Sequence, residues 1–225
     1  MIPTMCGRFT RASPKQAIVD GFQIREFWET PDDMVWDPRY SIAPTQNVAS
    51  ITQGRKLGWF RWGLIPKWAK DKSIVNRLIN GRSETAAEKP SFRDAFKKRR
   101  CLVVADGFYE WQKTNAGKQP YFITMADELP FAFAGLWETW NDSGGDDIHT
   151  CTILTTEANE MMKPIHDRMP AILDGDDYDE WLAGDDVHHL LKPFLPELMA
   201  SRPASRFVNS PKNDTPERIR GTHGN

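Results

Sequence analysis

Four polar side chains stand in contexts that packing alone does not require: Cys6, Asn80, Glu110 and His166. Cys6 follows Met5 and opens the run Cys6-Gly7-Arg8-Phe9-Thr10. Inside a chain, a lone cysteine is most often a small buried hydrophobe. If translation starts at Met5, or if residues 1–5 are cleaved off, Cys6 becomes N-terminal. It then carries an α-amine of pKa ~7.7–8.0 and a thiol of pKa ~8.5 two carbons apart. Such a 1,2-aminothiol condenses with an aldehyde to an imine and closes a five-membered thiazolidine ring by thiol addition. No internal cysteine can do this.

Asn80 lies in Leu78-Ile79-Asn80-Gly81-Arg82-Ser83-Glu84-Thr85, where Asn-Gly reads equally as a turn. In an extended segment Arg82 would point the same way as Asn80, and its planar fork suits phosphate. A surface salt bridge is the ordinary alternative. Glu110 is the odd residue between Tyr109 and Trp111. Buried there, its pKa would be raised by desolvation, as a general acid at neutral pH needs; on the solvent face it would be a plain surface charge. His166, in Ile165-His166-Asp167-Arg168-Met169-Pro170, is either a solvated loop residue or a proton shuttle. Trp68 and Trp111 could stack unpaired bases at ~1–3 kcal/mol each, although with nine tryptophans most must be core. The run Lys97-Lys98-Arg99-Arg100 resembles a nucleic-acid patch, but such short runs are more often solvated helix ends.

These residues have to be held by a β-rich frame. Ser13-Pro14-Lys15-Gln16 has the hydroxyl cap, first-turn proline and third-position Gln of a helix start. Leu57 to Trp62 alternates like a half-buried strand, and residues 83–98 read as one or two short helices interrupted at Pro90. Cys101 to Ala105 is an apolar run that meets Asp106-Gly107 and continues as Phe108-Tyr109-Glu110-Trp111, a hairpin signal. Tyr121 to Met125, Phe131 to Trp137 and Ile148 to Thr155 are further strands. Helices are expected near 157–162 and 176–183, and an extended segment near 204–209. The sum is α+β: a single domain with a curved, mainly antiparallel sheet or barrel-like core and surrounding helices.

Composition narrows the class without naming it. With 225 residues, 40% of them hydrophobic, the chain can bury a substantial core as one domain. A formal net charge of -2 means that any nucleic-acid binding comes from a local cationic groove. Cys6, Cys101 and Cys151 are odd in number and widely spaced, which speaks against a disulfide framework or structural zinc. With no secretion signal and no run of ~18 apolar residues, the expectation is a soluble, cytoplasmic protein.

Six ordered motifs together resemble the SRAP family, the SOS response-associated peptidases. They are Met5-Cys6-Gly7-Arg8-Phe9, Arg39-Tyr40-Ser41-Ile42-Ala43-Pro44-Thr45, Trp62-Gly63-Leu64-Ile65-Pro66, Ile79 to Thr85, Ala105 to Trp111, and Ile165 to Pro170. The match runs from residue 5 to the segment Phe207 to Asp214, and the domain is expected over 5–220, with 1–4 an extension that is removed or not native. The resemblance implies a groove for single-stranded DNA and a thiazolidine between an N-terminal cysteine and the ring-opened aldehyde of an abasic site. It makes Cys6 the nucleophile, Asn80 the group that positions the amine and sugar, Glu110 the acid-base group for ring opening, and His166 an aid to proton transfer. It assigns Arg8, Arg82 and Arg168 to phosphates and Pro44, Trp111 and, at the edge, Trp68 to the groove. No metal or cofactor is implied, and a monomer is expected. Ser41 departs from the asparagine of many relatives. Two other readings use the same chain: a thiol peptidase acting through Cys6, and a non-covalent single-strand binder.

Overall fold

The computed structural model describes residues 7–29, 35–141, 145 and 147–218; Cys6 lies outside them. In chain order the regular elements are β1 (Phe9–Arg11), α1 (Lys15–Gly21), β2 (Glu26–Phe27), β3 (Arg39–Ile42), β4 (Asn47–Thr52) and β5 (Lys56–Trp62). There follow β6 (Asn80–Arg82), α2 (Ser83–Ala86), α3 (Arg93–Lys98), β7 (Arg100–Ala105), β8 (Gly107–Thr114), β9 (Gly117–Met125) and β10 (Phe131–Asn141). The last are β11 (Asp147–Glu157), β12 (Arg168–Pro170), β13 (Ile172–Leu173), α4 (Tyr178–Ala183) and β14 (Met199–Pro203).

The unbroken apolar run of β7 is explained by burial on both faces. Cys101, Val103 and Ala105 enter one core cluster, and Leu102 and Val104 enter another. A strand walled on both sides gains from apolar residues at every position. Strands β4, β5, β7, β10 and β11 close into a barrel, because β11 pairs with β5 in parallel at Thr150↔Arg61 and Cys151↔Trp62. A second sheet runs in the order β14-β9-β8-β1-β3. The first cluster joins the two sheets through Phe9 and Phe108 of the second and Phe133 and Ile153 of the first. The second cluster is roofed by Ile18, Phe96 and Trp181 from helices α1, α3 and α4. The architecture is a mixed α+β domain with a closed five-strand barrel core, as expected from the sequence.

Four local expectations are corrected. Asp106-Gly107 is no hairpin turn: β7 pairs with β4 and β10, while β8 pairs with β1 and β9. The chain turns a corner from barrel to second sheet there, and the Asp106 amide donates to Thr10 O at 2.9 Å. Gly107 is needed for close approach, since a Cβ would sit 2.5 Å from Phe122 Cζ and 2.8 Å from the Ile123 carbonyl. Ser13 does not cap α1; its hydroxyl donates to Asp106 instead. The segment after β11 forms hydrogen-bonded turns rather than a helix, with Asn159 Oδ1 accepting the Met162 amide at 2.9 Å and Pro164 unable to continue a ladder. The late strand is β14, and a 3-10 turn at Arg206–Asn209 occupies most of the span expected to be extended, capped by the Ser205 hydroxyl. No helix among the described residues is long and apolar enough to cross a membrane.

Candidate functional site

Gly7, which follows Cys6 in the chain, leads into β1. That strand pairs with β8 at Phe9↔Phe108 and Thr10↔Gly107, and the pairing continues as the Tyr109 amide donates to Arg8 O at 2.9 Å. The next residue of β8 is Glu110. It is 5% exposed, and its Oε1 accepts the backbone amide of Trp111 at 3.0 Å. The surface-charge reading of Glu110 is therefore excluded: the carboxylate is buried beside the strand that emerges from the N-terminal segment.

Asn80-Gly81 is a strand, not a turn. Short β6 lies parallel to β11 at Ile153↔Asn80, Leu154↔Gly81 and Thr155↔Arg82. The period of two puts Asn80 and Arg82 on one face and turns Gly81 to the other, where a Cβ would lie 3.1 Å from Leu154. Asn80 is half-buried and Arg82 exposed.

His166 ends the turns after β11, its amide donating to Met162 O at 2.9 Å. Gln112 of β8 donates from Nε2 to the Pro164 carbonyl at 2.8 Å, tying the strand of Glu110 to the loop of His166. The amide of Arg168 donates to His166 Nδ1 at 3.1 Å. The Arg168 side chain is committed within the protein. Nη1 and Nη2 fork onto Glu84 at 2.5 and 2.9 Å, and Nη2 also reaches Thr155 O at 2.5 Å. This fork holds the Glu84 carboxyl below its usual range.

One apolar cluster gathers these segments. It contains Phe9, three residues after Cys6; Ile79, immediately before Asn80; Phe108, two before Glu110; and Ile165, immediately before His166. A separate cleft of about 460 Å³, lined by Phe22, Leu129, Tyr178 and Leu198 among others, contains none of these candidate residues.

The remaining sequence candidates occupy varied settings. Arg8 is 9% exposed, and its Nη1 donates to Ser41 Oγ at 3.3 Å and to Val208 O at 3.2 Å. Ser41 is fully buried and donates in turn to Pro211 O at 3.0 Å, so the shorter side chain still bridges two segments. Pro44 is half-buried, and Thr45 after it has φ 73°, a left-handed conformation unusual for a β-branched residue, held as its amide donates to Trp62 O at 2.8 Å. Trp111 donates from Nε1 to Asn209 Oδ1 at 2.8 Å. Trp68 is 58% exposed, its Nε1 donating to Pro90 O at 3.3 Å. Of the basic run, Lys97 and Lys98 are exposed. Arg99 pairs with Glu138 at 2.7 Å, and buried Arg100 donates to the carbonyls of Trp181, Phe96 and Gly184. Glu84 and Thr155 were given no role from sequence, and the 208–211 segment entered only as the end of the family match, because their link to the candidates is made only by folding.

The family model of the SOS response associated peptidases (SRAP) matches residues 5–211. The chain belongs to the SRAP family. A Bacillus subtilis relative, the abasic site processing protein YoqW, is 44% identical over 96% of this chain and 99% of its own length. The abasic site processing protein HMCES of Xenopus tropicalis is 34% identical over 84% of this chain and 68% of its own. Among solved structures, an SRAP-like fold is seen in a Bacteroides thetaiotaomicron protein, with TM-score 0.84, 30% identity, and coverage of 96% of this chain and all of that one.

Proposed function

We propose that this SRAP protein processes abasic sites in single-stranded DNA by covalent capture through an N-terminal Cys6. The α-amine adds to the aldehyde carbon of the ring-opened sugar and expels water to leave an imine. The thiol then adds across the C=N bond, its proton passing to nitrogen, and a thiazolidine results. The net reaction joins the two partners and releases one water. Glu110 supplies the proton for sugar ring opening, His166 relays protons during imine formation, and Asn80 orients amine and sugar. Arg8, Arg82 and Arg168 serve the phosphate backbone, with Pro44, Trp111 and Trp68 along the groove; buried Arg8 acts by shaping it. The chemistry requires a free α-amine, hence loss of residues 1–5.

The observation that carries this reading is the convergence of the segments bearing Gly7, Asn80, Glu110 and His166 on one apolar cluster, with a buried carboxylate beside the N-terminal strand. The names of the relatives supply the substrate class.

The test is a chain begun at Met5, its N-terminus checked by intact mass, incubated with an oligonucleotide carrying one abasic site, beside Cys6→Ala and the full-length form. A band that survives denaturing electrophoresis, seen only with exposed Cys6 and only with the lesion, is expected. No adduct from an exposed Cys6 would overturn the proposal and leave the thiol-peptidase or simple-binder reading.

A further inference from the structure

The imidazole of His166 faces two partners that no single protonation state can satisfy. The Arg168 amide points its hydrogen at Nδ1 from 3.1 Å, which needs a lone pair there. The Asp167 carboxylate lies 2.8 Å from the same nitrogen, which needs a proton there. A neutral ring must choose. If Nδ1 accepts from Arg168, the proton sits on Nε2; if Nδ1 donates to Asp167, Nε2 is bare.

The two competitors are not equally well held. The Asp167 side chain is 89% exposed, so water competes for its oxygens. The Arg168 side chain is 16% exposed and anchored on two elements: Glu84 in α2, through two bonds, and Thr155 in β11, through its carbonyl and, at 3.2 Å, its hydroxyl. Arg168 is the first residue of a strand only three residues long, so this clamp supplies much of what fixes its amide. A bidentate guanidinium-carboxylate pair defines direction as well as distance.

We propose that Glu84 is a positioning residue for His166: by clamping Arg168 it keeps that amide on Nδ1 and so holds the imidazole proton on Nε2. The consequence for crosslinking rests on the function proposed above; the tautomer does not. Glu84 acts through Arg168 and touches no reacting atom. The same clamp leaves Arg168 one Nη1 hydrogen and the buried Nε hydrogen, so a two-pronged fork onto DNA would first have to break a bond to Glu84 or to Thr155.

The experiment is long-range proton-nitrogen NMR on protein labelled with ¹⁵N-histidine, above the pH at which the ring is neutral, for the wild type, Glu84→Ala, Glu84→Gln and Asp167→Ala. Wild type and Asp167→Ala are expected to show the Nε2-H tautomer, Glu84→Ala a mixture, and Glu84→Gln a smaller shift in the same direction. In parallel, crosslinking by Glu84→Ala should slow by about tenfold, less than the roughly 10²-fold that a misplacement of about 1 Å can cost. The pH profile should move with it, and adding Glu84→Ala to Arg168→Ala should cost nothing further. An unchanged tautomer in both Glu84 variants overturns the proposal, whatever the rate does. So does an altered tautomer in Asp167→Ala, or full additivity with Arg168→Ala. Should Glu84→Ala fail to fold, Glu84→Gln decides alone. If wild type forms no crosslink, the proposed function fails while the NMR still judges the tautomer.

Discussion

Replacing Asp106 by alanine should cost far more stability than a half-buried corner residue usually does. Its carboxylate receives the amides of Ala12 and of Ser13, the latter at 2.9 Å, on Oδ2 and the Ser13 hydroxyl on Oδ1. Hydrogen bonds to a charged group contribute about 1.5–3 kcal/mol each. Three would sum to at least about 4–5 kcal/mol, but water reaches this half-buried corner and replaces part, leaving a net loss of about 3 kcal/mol. For a chain of this size that lowers Tm by about 6–12 °C. Asp106→Asn separates charge from geometry. Its amide oxygen can keep both backbone donors and its NH2 can meet the Ser13 oxygen, so about 1 kcal/mol should go. Urea unfolding at pH 7 gives both values from the midpoint, provided the slope is unchanged. An alanine variant within about 0.5 kcal/mol of wild type would refute the reasoning, since that is the range of featureless surface sites. An asparagine variant as damaged as alanine would refute the claim that acceptor geometry outweighs charge. Because the corner fixes β1 to β8, the alanine variant should also slow crosslinking under the proposed function.

Gly107→Ala should destabilise by about 2 kcal/mol, read in the same urea assay, because the Phe122 ring can swing away but the Ile123 carbonyl cannot. Burial lowers the pKa of His149, only partly opposed by Asp147, so the folded protein binds fewer protons than the unfolded chain. Stability should therefore be complete above the ordinary histidine value of 6.5 and be lost as pH falls through and below it, and His149→Phe should flatten urea midpoints measured from about pH 8 to 5. Desolvation raises the thiol pKa of Cys101 and lifts that of Cys151 to about 12. Both should resist iodoacetamide in the folded state and react after unfolding, and stability should decline as pH rises above 9, where only the unfolded thiols ionise.

The periodicity of the chain disclosed four of the five barrel strands, β5, β7, β10 and β11, and β9 of the second sheet, because these are apolar or alternating runs whose pattern comes from burial itself, but it did not mark β4. The pairing of those strands was less legible. Asp106-Gly107 has the composition of a tight turn, but composition cannot say whether a chain doubles back or crosses to a second sheet. Tertiary packing decides that, through the lack of room at Gly107 and the three donors collected by the Asp106 carboxylate. Asn80-Gly81, left open between turn and strand, was settled in the same direction. Its turn preference is overridden because β11 offers a parallel edge at Ile153 to Thr155, and a partner 73 residues away leaves no mark on local sequence. The helix expected near 157–162 lost to Asn159 and Pro164, which favour one closed turn over a continuing ladder.

The same distinction runs through the candidate site. Residue context set Cys6, Asn80, Glu110 and His166 apart without deciding between their ordinary and chemical readings, and their roles came from the family resemblance. What residue type could not supply is their support. Glu84 sat in a motif visible from the sequence without any sign that its carboxylate would meet Arg168, 84 positions later. The resemblance made Arg8 a cation for phosphate, yet its Nη1 donates to Ser41 and Val208, joining segments far apart in the chain. The site therefore draws its chemistry from a few locally recognisable residues and its geometry from pairs far apart in sequence. Under the proposed function, changes at Glu84 should therefore slow crosslinking, and changes at Asp106 should lower stability as well.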